Sequence, residues 1–420
     1  LSQAGFSMPA MLAWRFLLRV KMAVDAPVLE RFGGPNHDIP RPQPVEIPPA
    51  LDREMLFRVA VIAEGAVTPI GNTGDETWEA VKAMKSGIVE RRYPPYTEPS
   101  YLVPDEIVDK MTATHPVLGR LLEQHHNSRH TRHFILNEYL NEYQDVKRED
   151  LKLTQADPQI RAVTAATVKD FDPVERLVKT GFMPRKEVVF KMGPYSQYAA
   201  TVVYEMLSKI RTADGIPFMI PRLNADGTPH KEYKWIINEA LANRLHVATL
   251  VATGFGGGAV SAEVLELLKA GLIPSGDHMM RSLSDRADSP PTQGSGAEGG
   301  AEANTAACAS SGKALINTIL RVVTGVSQVG FVVGTEGLEQ PMAWADGRTE
   351  ENPITAAEFD CLGALDVGTD PFSVSRSLHK DRRGFTIGEG AVGVTICDVN
   401  WAKQNNIPIL YYIDGFGDTS

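Results

Sequence analysis

The sequence predicts an α/β layered domain built on a largely parallel or mixed sheet. Apolar runs of strand length recur along the chain, at LFRVAVIAEGAV, HVATLVATG, SQVGFVVGTEG, GEGAVGVTICDV and PILYYIDGFG. Stretches of helical period lie between several of them, and Gly- and Pro-rich turn signals punctuate the boundaries. Strands alternating with helices are the pattern of a sheet covered by helices on its faces.

The elements can be taken in order. Met8 to Val24 carries an apolar run, but Arg15, Arg19 and Lys21 interrupt it. It is too short and too charged to span a bilayer. Its cations sit inside and after the run, where a signal peptide would place them before it. It is read as a surface or partner helix, or as an upstream extension. Residues 25 to 55 are Pro-rich and read as an extended linker. The globular part begins at Phe57 with a buried strand and a Gly and Pro turn. A helix is expected from Asp75 to Ser86, closed by Gly87. Residues 92 to 165 are polar and less regular, with the His-rich stretch HHNSRHTRH.

Further on, a long helix is expected from Tyr195 to Ile210, then a loop with a turn at NADGTPH. The strand HVATLVATG runs into the glycine cluster FGGG, with a helix from Ser261 to Ala270. Residues 282 to 303 read as a loop rich in Ser, Gly and Ala. A helix is expected over Thr305 to Thr324, and the remaining apolar runs read as three strands. The chain begins at Leu1 and stops at Ser420 within a strand-to-loop pattern, so both ends read as cut. No repeat or heptad run is present.

Composition bounds the function. The formal net charge is −10, which argues against non-specific nucleic-acid binding, since that needs a basic footprint. The three cysteines, Cys308, Cys361 and Cys397, show no CxxC spacing. So sparse and odd a set points to a reducing compartment and permits a free, reactive thiol. No segment has transmembrane length, and a cytoplasmic location is the default expectation.

The chemistry centres on ANTAACASSGKALINTILRVV, residues 303 to 323. Small residues crowd Cys308, and Leu315, Ile319, Leu320 and Val323 follow at helical spacing. A thiol at a helix start faces unpaired N–H groups and the positive end of the helix dipole, which favour thiolate. The same amides can hold a thioester oxyanion. A buried structural Cys packed among alanines is the alternative that this segment alone leaves open.

The segment resembles the T-A-C-[AST]-S-G signature of the β-ketoacyl synthases, and five further blocks agree in the same order. RVAVIAEGAVTPIGNTGDETWEAVKAMKSGI is similar to that family's first strand, loop and helix. VKDFDP and MPRKEVVFKMGPYSQYAATVVYEML resemble the segment leading into its dimer-side helix. VATLVATGFGGG is similar to a V-G-x-G-x-G-G strand end, and VGFVVGTEG to the strand after the nucleophile. SRSLHKDRRGFTIGEGAVGV resembles S-R-P-F-D-x-x-R-D-G-F-x-x-G-E-G-A-G. The chain departs from the pattern at Ala306, where Thr is usual, and at Ser311, where Gly is usual. It departs again at Ser377, Leu378, His379 and Arg383, and residues 93 to 165 look like an insertion.

The resemblance implies a thiolase-like fold of α-β-α-β-α layers, in which the first half supplies the cysteine and the second supplies two histidines and a lysine. Here it implies an extension and linker over 1–55, the first half over 56–407 with its large insertion, and the start of a truncated second half over 408–420. None of the ten histidines lies after Asp381, so the histidine motifs have no counterpart. The implied activity is a 3-oxoacyl-[acyl-carrier-protein] synthase of fatty-acid or polyketide synthesis, incomplete in this chain, with Cys308 as nucleophile and no cofactor. Acyl carrier protein is the implied partner, in a homodimer or heterodimer.

The resemblance also assigns pocket positions to Phe255 and Phe385, where a ring at 255 would favour shorter acyl chains. Arg185, Lys186 and Lys191 fall in a block that resembles the carrier-docking surface, and a basic patch would steer an acidic carrier. Core packing for the two rings, and an ordinary solvated face for the three cations, are the alternatives. His126, His130 and His133 would share one helical face, but no Cys or Glu completes a metal spacing, and no metal site is expected. Two other functions compete. One is a non-catalytic partner of the chain-length-factor type, which Cys308 argues against. The other is a cysteine-dependent hydrolase or acyltransferase on an unrelated α/β fold, which would need a His and an orienting carboxylate near Cys308.

Overall fold

The segment VAVIAEGAV alternates apolar residues on both faces, as a strand covered on two sides must. In the computed structural model it forms β1 (Val59–Val67), buried along almost its whole length. The structure describes residues 58–90, 101–124, 129–151, 153–155, 164–257, 286–337, 341–343, 349–351 and 354–417, with isolated positions between 260 and 283. The N-terminal extension and linker, the centre of the expected 261–270 helix and His126 lie outside the described residues.

Helix α1 (Gly74–Lys82) follows β1, and the Thr73 side chain caps it by accepting from the Glu76 N–H. It stops earlier than Ser86, because the chain leaves the helix at Ala83 and Met84 takes a positive φ of 55°. Gly87 does not close it. That glycine packs against Pro69, where a Cβ would come within 2.6 Å of the proline ring.

The stretch expected to be irregular is instead helical. Its described residues form α2 (Asp105–Thr114), α3 (Pro116–Gln124) and α4 (Arg129–Glu142), beside a short antiparallel pair of Tyr101–Leu102 with Thr154–Gln155. Ile107, Val108, Met111, Leu118, Ile135, Leu136 and Tyr139 make a separate small core. The Lys110 ammonium stands 3.8 Å from the Tyr143 ring centroid, which covers that core with a cation–π contact.

Helix α5 (Lys186–Phe190) leads into α6 (Pro194–Lys209), whose proline stands in the first turn, where its missing N–H costs nothing. After a hairpin of Met219–Pro221 with Trp235–Ile237 come β2 (Val247–Ala252), α7 (Ser289–Ser295) and β3 (Ala301–Asn304). The region from 282 to 303 therefore holds a helix and an edge strand rather than a loop. Its proline pair starts the helix and Gly296, at φ 73°, ends it. Next are α8 (Ser310–Val323), β4 (Val329–Glu336), α9 (Ile354–Cys361), β5 (Gly390–Asp398), α10 (Val399–Gln404) and β6 (Tyr411–Tyr412).

These strands form one six-stranded mixed sheet in the order β6-β1-β5-β4-β2-β3. β4, β2 and β3 run parallel, while β5 is antiparallel to both β1 and β4. Helix α6 covers one face and α8 the other. Both approach through glycines. Gly65 and Gly393 are cross-strand partners, and a Cβ on either would press on Val202 of α6. On the opposite face, Gly334 admits Ser311 of α8, and Gly330 admits Thr318. The same strand sends Val329, Phe331 and Val333 into the α6 side, so its glycine and apolar positions alternate with the pleat.

Overpacking a filled interface costs about 1–3 kcal/mol. A Cβ at Gly330 would collide with Thr318 Cγ2. Gly330→Ala should therefore lower stability by about that amount in urea unfolding, and adding Thr318→Ala should recover part of the loss.

Candidate functional site

Because β2, β3 and β4 are parallel, the chain leaves all three at one edge of the sheet. Open α/β sheets bind ligands outside the carboxyl ends of their strands. Here that edge gathers residues 253–257 after β2, residues 305–309 after β3, and Glu336 at the end of β4. Cys308 lies in the second of these loops.

The helix expected from Thr305 begins only at Ser310, so Cys308 stands two residues before its first turn. Residues 305–309 form a tight turn instead. Ala307 takes φ 46°, a left-handed conformation that costs a non-glycine residue about 1–2 kcal/mol. Ser310 holds the turn closed. Its hydroxyl donates to Ala307 O at 2.6 Å and accepts from the Ala306 N–H at 2.7 Å. The Ser310 and Ala309 amides donate back to Ala307 O and Ala306 O. The amides of Ser311 and Gly312, in the first turn of α8, have no acceptor among the described residues.

Cys308 is exposed, whereas Cys397 is fully buried on β5. Burial, with the neighbouring Asp398 charge adding to it, pushes the Cys397 thiol far up. Cys397 is therefore an inert core residue. The Cys361 side chain lies outside the described residues. Among the described residues, no hydrogen bond joins Cys308 to a histidine.

The glycine cluster after β2 is occupied by the protein's own carboxylate. Glu336 accepts from Thr253 Oγ1 at 2.8 Å and from the N–H groups of Gly254 (2.9 Å), Phe255 (3.2 Å) and Gly256 (2.8 Å). A glycine turn presenting several N–H groups resembles an anion cradle. This one is filled from within.

Phe255 and Phe385, from distant segments, meet through a residue the sequence reading did not name. Phe359 of α9 stands 6.1 Å from Phe255 and 5.4 Å from Phe385, the latter edge-on. All three rings pack half-buried against Ala165, Ala356, Leu365 and Ile387. Nothing local marks Phe359. Its neighbours on α9 carry no turn or glycine signal, and only the tertiary packing selects it.

Arg185, Lys186 and Lys191 are exposed at the ends of α5, beside the exposed ring of Phe190. Buried Val189 anchors this short helix, and Gln197 of α6 donates to Val189 O and Met192 O. The N-terminus of α6 docks in turn on the end of β4, where Thr335 Oγ1 donates to Tyr195 O at 2.7 Å. The basic residues thus stand at the same end of the sheet as Cys308, on the α6 face.

Other candidates do not join this edge. A cavity of about 570 Å³ opens between β1, α1 and the end of α6, lined by Glu64, Trp78, Lys209 and Tyr411 among others. It includes none of the expected site residues. His130 and His133 fall on α4, but their side chains lie outside the described residues. Among the described residues, no three His, Cys, Asp or Glu side chains group to hold a metal, and no helix is long and apolar enough to cross a membrane.

No protein-family model matches the chain. A 3-oxoacyl-[acyl-carrier-protein] synthase 2 of Coxiella burnetii (strain RSA 493 / Nine Mile phase I) is 31% identical over 105 residues, which is 24% of this chain and 25% of that protein. A β-ketoacyl synthase from Burkholderia phymatum STM815 superposes with a TM-score of 0.51 at 16% identity, covering 84% of this chain and 62% of that one. AntDE:AntF, a type II polyketide synthase acyl-carrier protein in complex with its ketosynthase, gives a TM-score of 0.50 at 15% identity, covering 84% and 60%. The chain spans about three-fifths of the length of these solved synthases. In part of its sequence the chain resembles a 3-oxoacyl-[acyl-carrier-protein] synthase, and it has the thiolase-like fold of the β-ketoacyl synthases.

Proposed function

We propose that this chain is the cysteine-bearing part of a 3-oxoacyl-[acyl-carrier-protein] synthase acting in fatty-acid or polyketide synthesis. The observation that carries the reading is the exposed thiol of Cys308, in a tight turn at the carboxyl edge of a parallel sheet and just ahead of a helix with open first-turn amides. The local match to a curated synthase supports the same reaction class.

In the proposed reaction the Cys308 thiolate attacks the thioester carbonyl of an acyl carrier. A new carbon–sulfur bond forms, and the carrier thiol leaves with a proton. The open amides of Ser311 and Gly312 supply donors of the kind a tetrahedral oxyanion needs. In the second stage a malonyl thioester loses CO₂, and its enolate carbon attacks the acyl-cysteine. The β-ketoacyl thioester is released and the cysteine thiol is restored. That stage needs hydrogen-bond donors to the enolate, which the family resemblance assigns to histidines of a second half. Condensation is therefore proposed for an assembly that contains those residues, and acylation for the present chain.

The remaining assignments follow from the same reading. Residues 56–407 are the first half, 1–55 an appended extension and linker, and 408–420 the lead into the second half. The ring cluster of Phe255, Phe359 and Phe385 forms a wall of the acyl pocket. Arg185, Lys186 and Lys191 receive an acidic carrier protein, through charges that raise the encounter rate and are screened by salt. The reaction takes place in the cytoplasm.

Intact-mass measurement after incubation with an acyl carrier thioester should show one acyl adduct on the wild type and none on Cys308→Ala. If the protein assembled with a second half still takes no adduct, the non-catalytic partner replaces this reading. Removing the Phe255 ring opens space at the pocket wall, so Phe255→Ala should shift acylation toward longer chains in competition between short and long acyl carriers. An unchanged ratio would remove Phe255 from the pocket.

A further inference from the structure

Glu336 ends the central strand β4 and spends its whole carboxylate on the loop that leaves β2. Hydrogen bonds to an ionised acceptor are stronger than neutral ones, and three of these four donors are successive backbone amides. Such a group does more than satisfy a charge, because it fixes the path of a loop. What lies against that loop shows what the path is for. A Cβ on Gly254 would stand 3.2 Å from Glu336 Oε2 on one side, and 3.0 Å from Ala307 O on the other. Gly254 thus leaves no room for a side chain between the Glu336 carboxylate and the cysteine turn. Thr253 extends the stack by donating its N–H to Asn304 O at the end of β3.

The turn beside Gly254 is the strained one. Ala307 at φ 46° keeps a costly conformation only while its surroundings hold it. Ser310 holds it from the helix side, and Gly254 backs it from the β2 side. Glu336 is itself placed rigidly. Its neighbour Thr335 is buried and bonded to Tyr195 O, and the next residue, Gly337, sits so close that a Cβ would lie 2.5 Å from Tyr195 N.

We infer that Glu336 is the positioning residue for the cysteine turn: by filling the cradle made by the Thr253 hydroxyl and the amides of 254–256, it sets where Ala307, and hence the Cys308 thiol, stands. The catalytic meaning of this rests on the proposed acylation, whereas the mechanical coupling does not. Two consequences follow. The N–H groups of Gly254, Phe255 and Gly256 are taken by Glu336, so these three hold no external anion. The thiol and the ring of Phe255 also move together, because one carboxylate fixes both loops.

Hydrogen exchange of Glu336→Gln tests the coupling. Glutamine keeps the shape but turns an NH₂ toward N–H donors. Residues 253–257 and 305–310 should both exchange about tenfold faster, the factor that about 1.4 kcal/mol represents, while α6 and β5 keep their protection. Faster exchange at 253–257 with wild-type rates at 305–310 would overturn the inference. If that variant fails to fold, Gly254→Ala decides. It keeps Glu336 but sets a methyl 3.0 Å from Ala307 O and 3.2 Å from Glu336 Oε2, so altered exchange at 305–310 supports the coupling and unaltered exchange refutes it. Acylation gives a second readout, which a merely structural role would not split from simple thiol reactivity. In Glu336→Gln, acyl transfer from a carrier thioester to Cys308 should fall about tenfold, with iodoacetamide alkylation of Cys308 within about twofold of wild type. Equal changes in both rates would count against positioning. A wild type that accepts no acyl group would sink the proposed reaction, while the exchange result would still decide this inference.

Discussion

The architecture depends on how closely two helices can lie on one sheet. A side chain between a strand and a helix sets their spacing, and glycine removes that limit. Gly65 and Gly393, paired across β1 and β5, let α6 rest on one face. Gly330 and Gly334, four residues apart on β4, let α8 rest on the other. With α8 held that close, its start lands at the carboxyl edge of the parallel strands. The cysteine turn ahead of it then meets the loop from β2. Larger residues at 330 or 334 would lift the helix and separate these loops.

A second device recurs at the exits of the strands. A buried or half-buried carboxylate accepts from backbone amides that the sheet leaves unpaired. Glu205 of α6 takes the N–H groups of Ala66 and Gly74 where β1 gives way to α1. Glu389 takes the Val168 N–H beside the start of β5. Glu336 does the same for three amides and a hydroxyl at the end of β2. Removing a carboxylate from water is costly unless charge-assisted hydrogen bonds replace its hydration. Glu205 and Glu336 have such bonds on both oxygens, Glu389 on one, and in return each helps to hold a loop in place. Glu336 acts at the edge that carries Cys308, which sets it apart from the other two.

Residues 93–165 show where pattern reading fell short. Polar residues and histidines in this stretch obscure the helical period. Yet α2, α3 and α4 bury apolar residues against one another, and Lys110 covers the remaining aromatic surface. A helix pair or triplet can hide its stripe from a periodicity reading when each helix contributes only a few residues to a small core. The stretch from 282 to 303 failed for another reason. Small polar residues read as loop, but β3 is an edge strand that needs no apolar face on its outer side.

What the amino-acid sequence determined by itself is what a single segment can encode. The apolar strands, the long helix over Pro194–Lys209 and the small-residue setting of Cys308 were all legible, because each is a local pattern of period or volume. Tertiary structure alone decided the rest. The contact of Glu336 with Gly254 spans 82 positions, and Phe255, Phe359 and Phe385 come from three separate segments. The strand order β6-β1-β5-β4-β2-β3 brings these groups together, and no local periodicity states that order. The late start of α8 has the same origin. Propensity would carry the helix back to Thr305, but Ser310 closes residues 305–309 into a turn that places the thiol outside the helix.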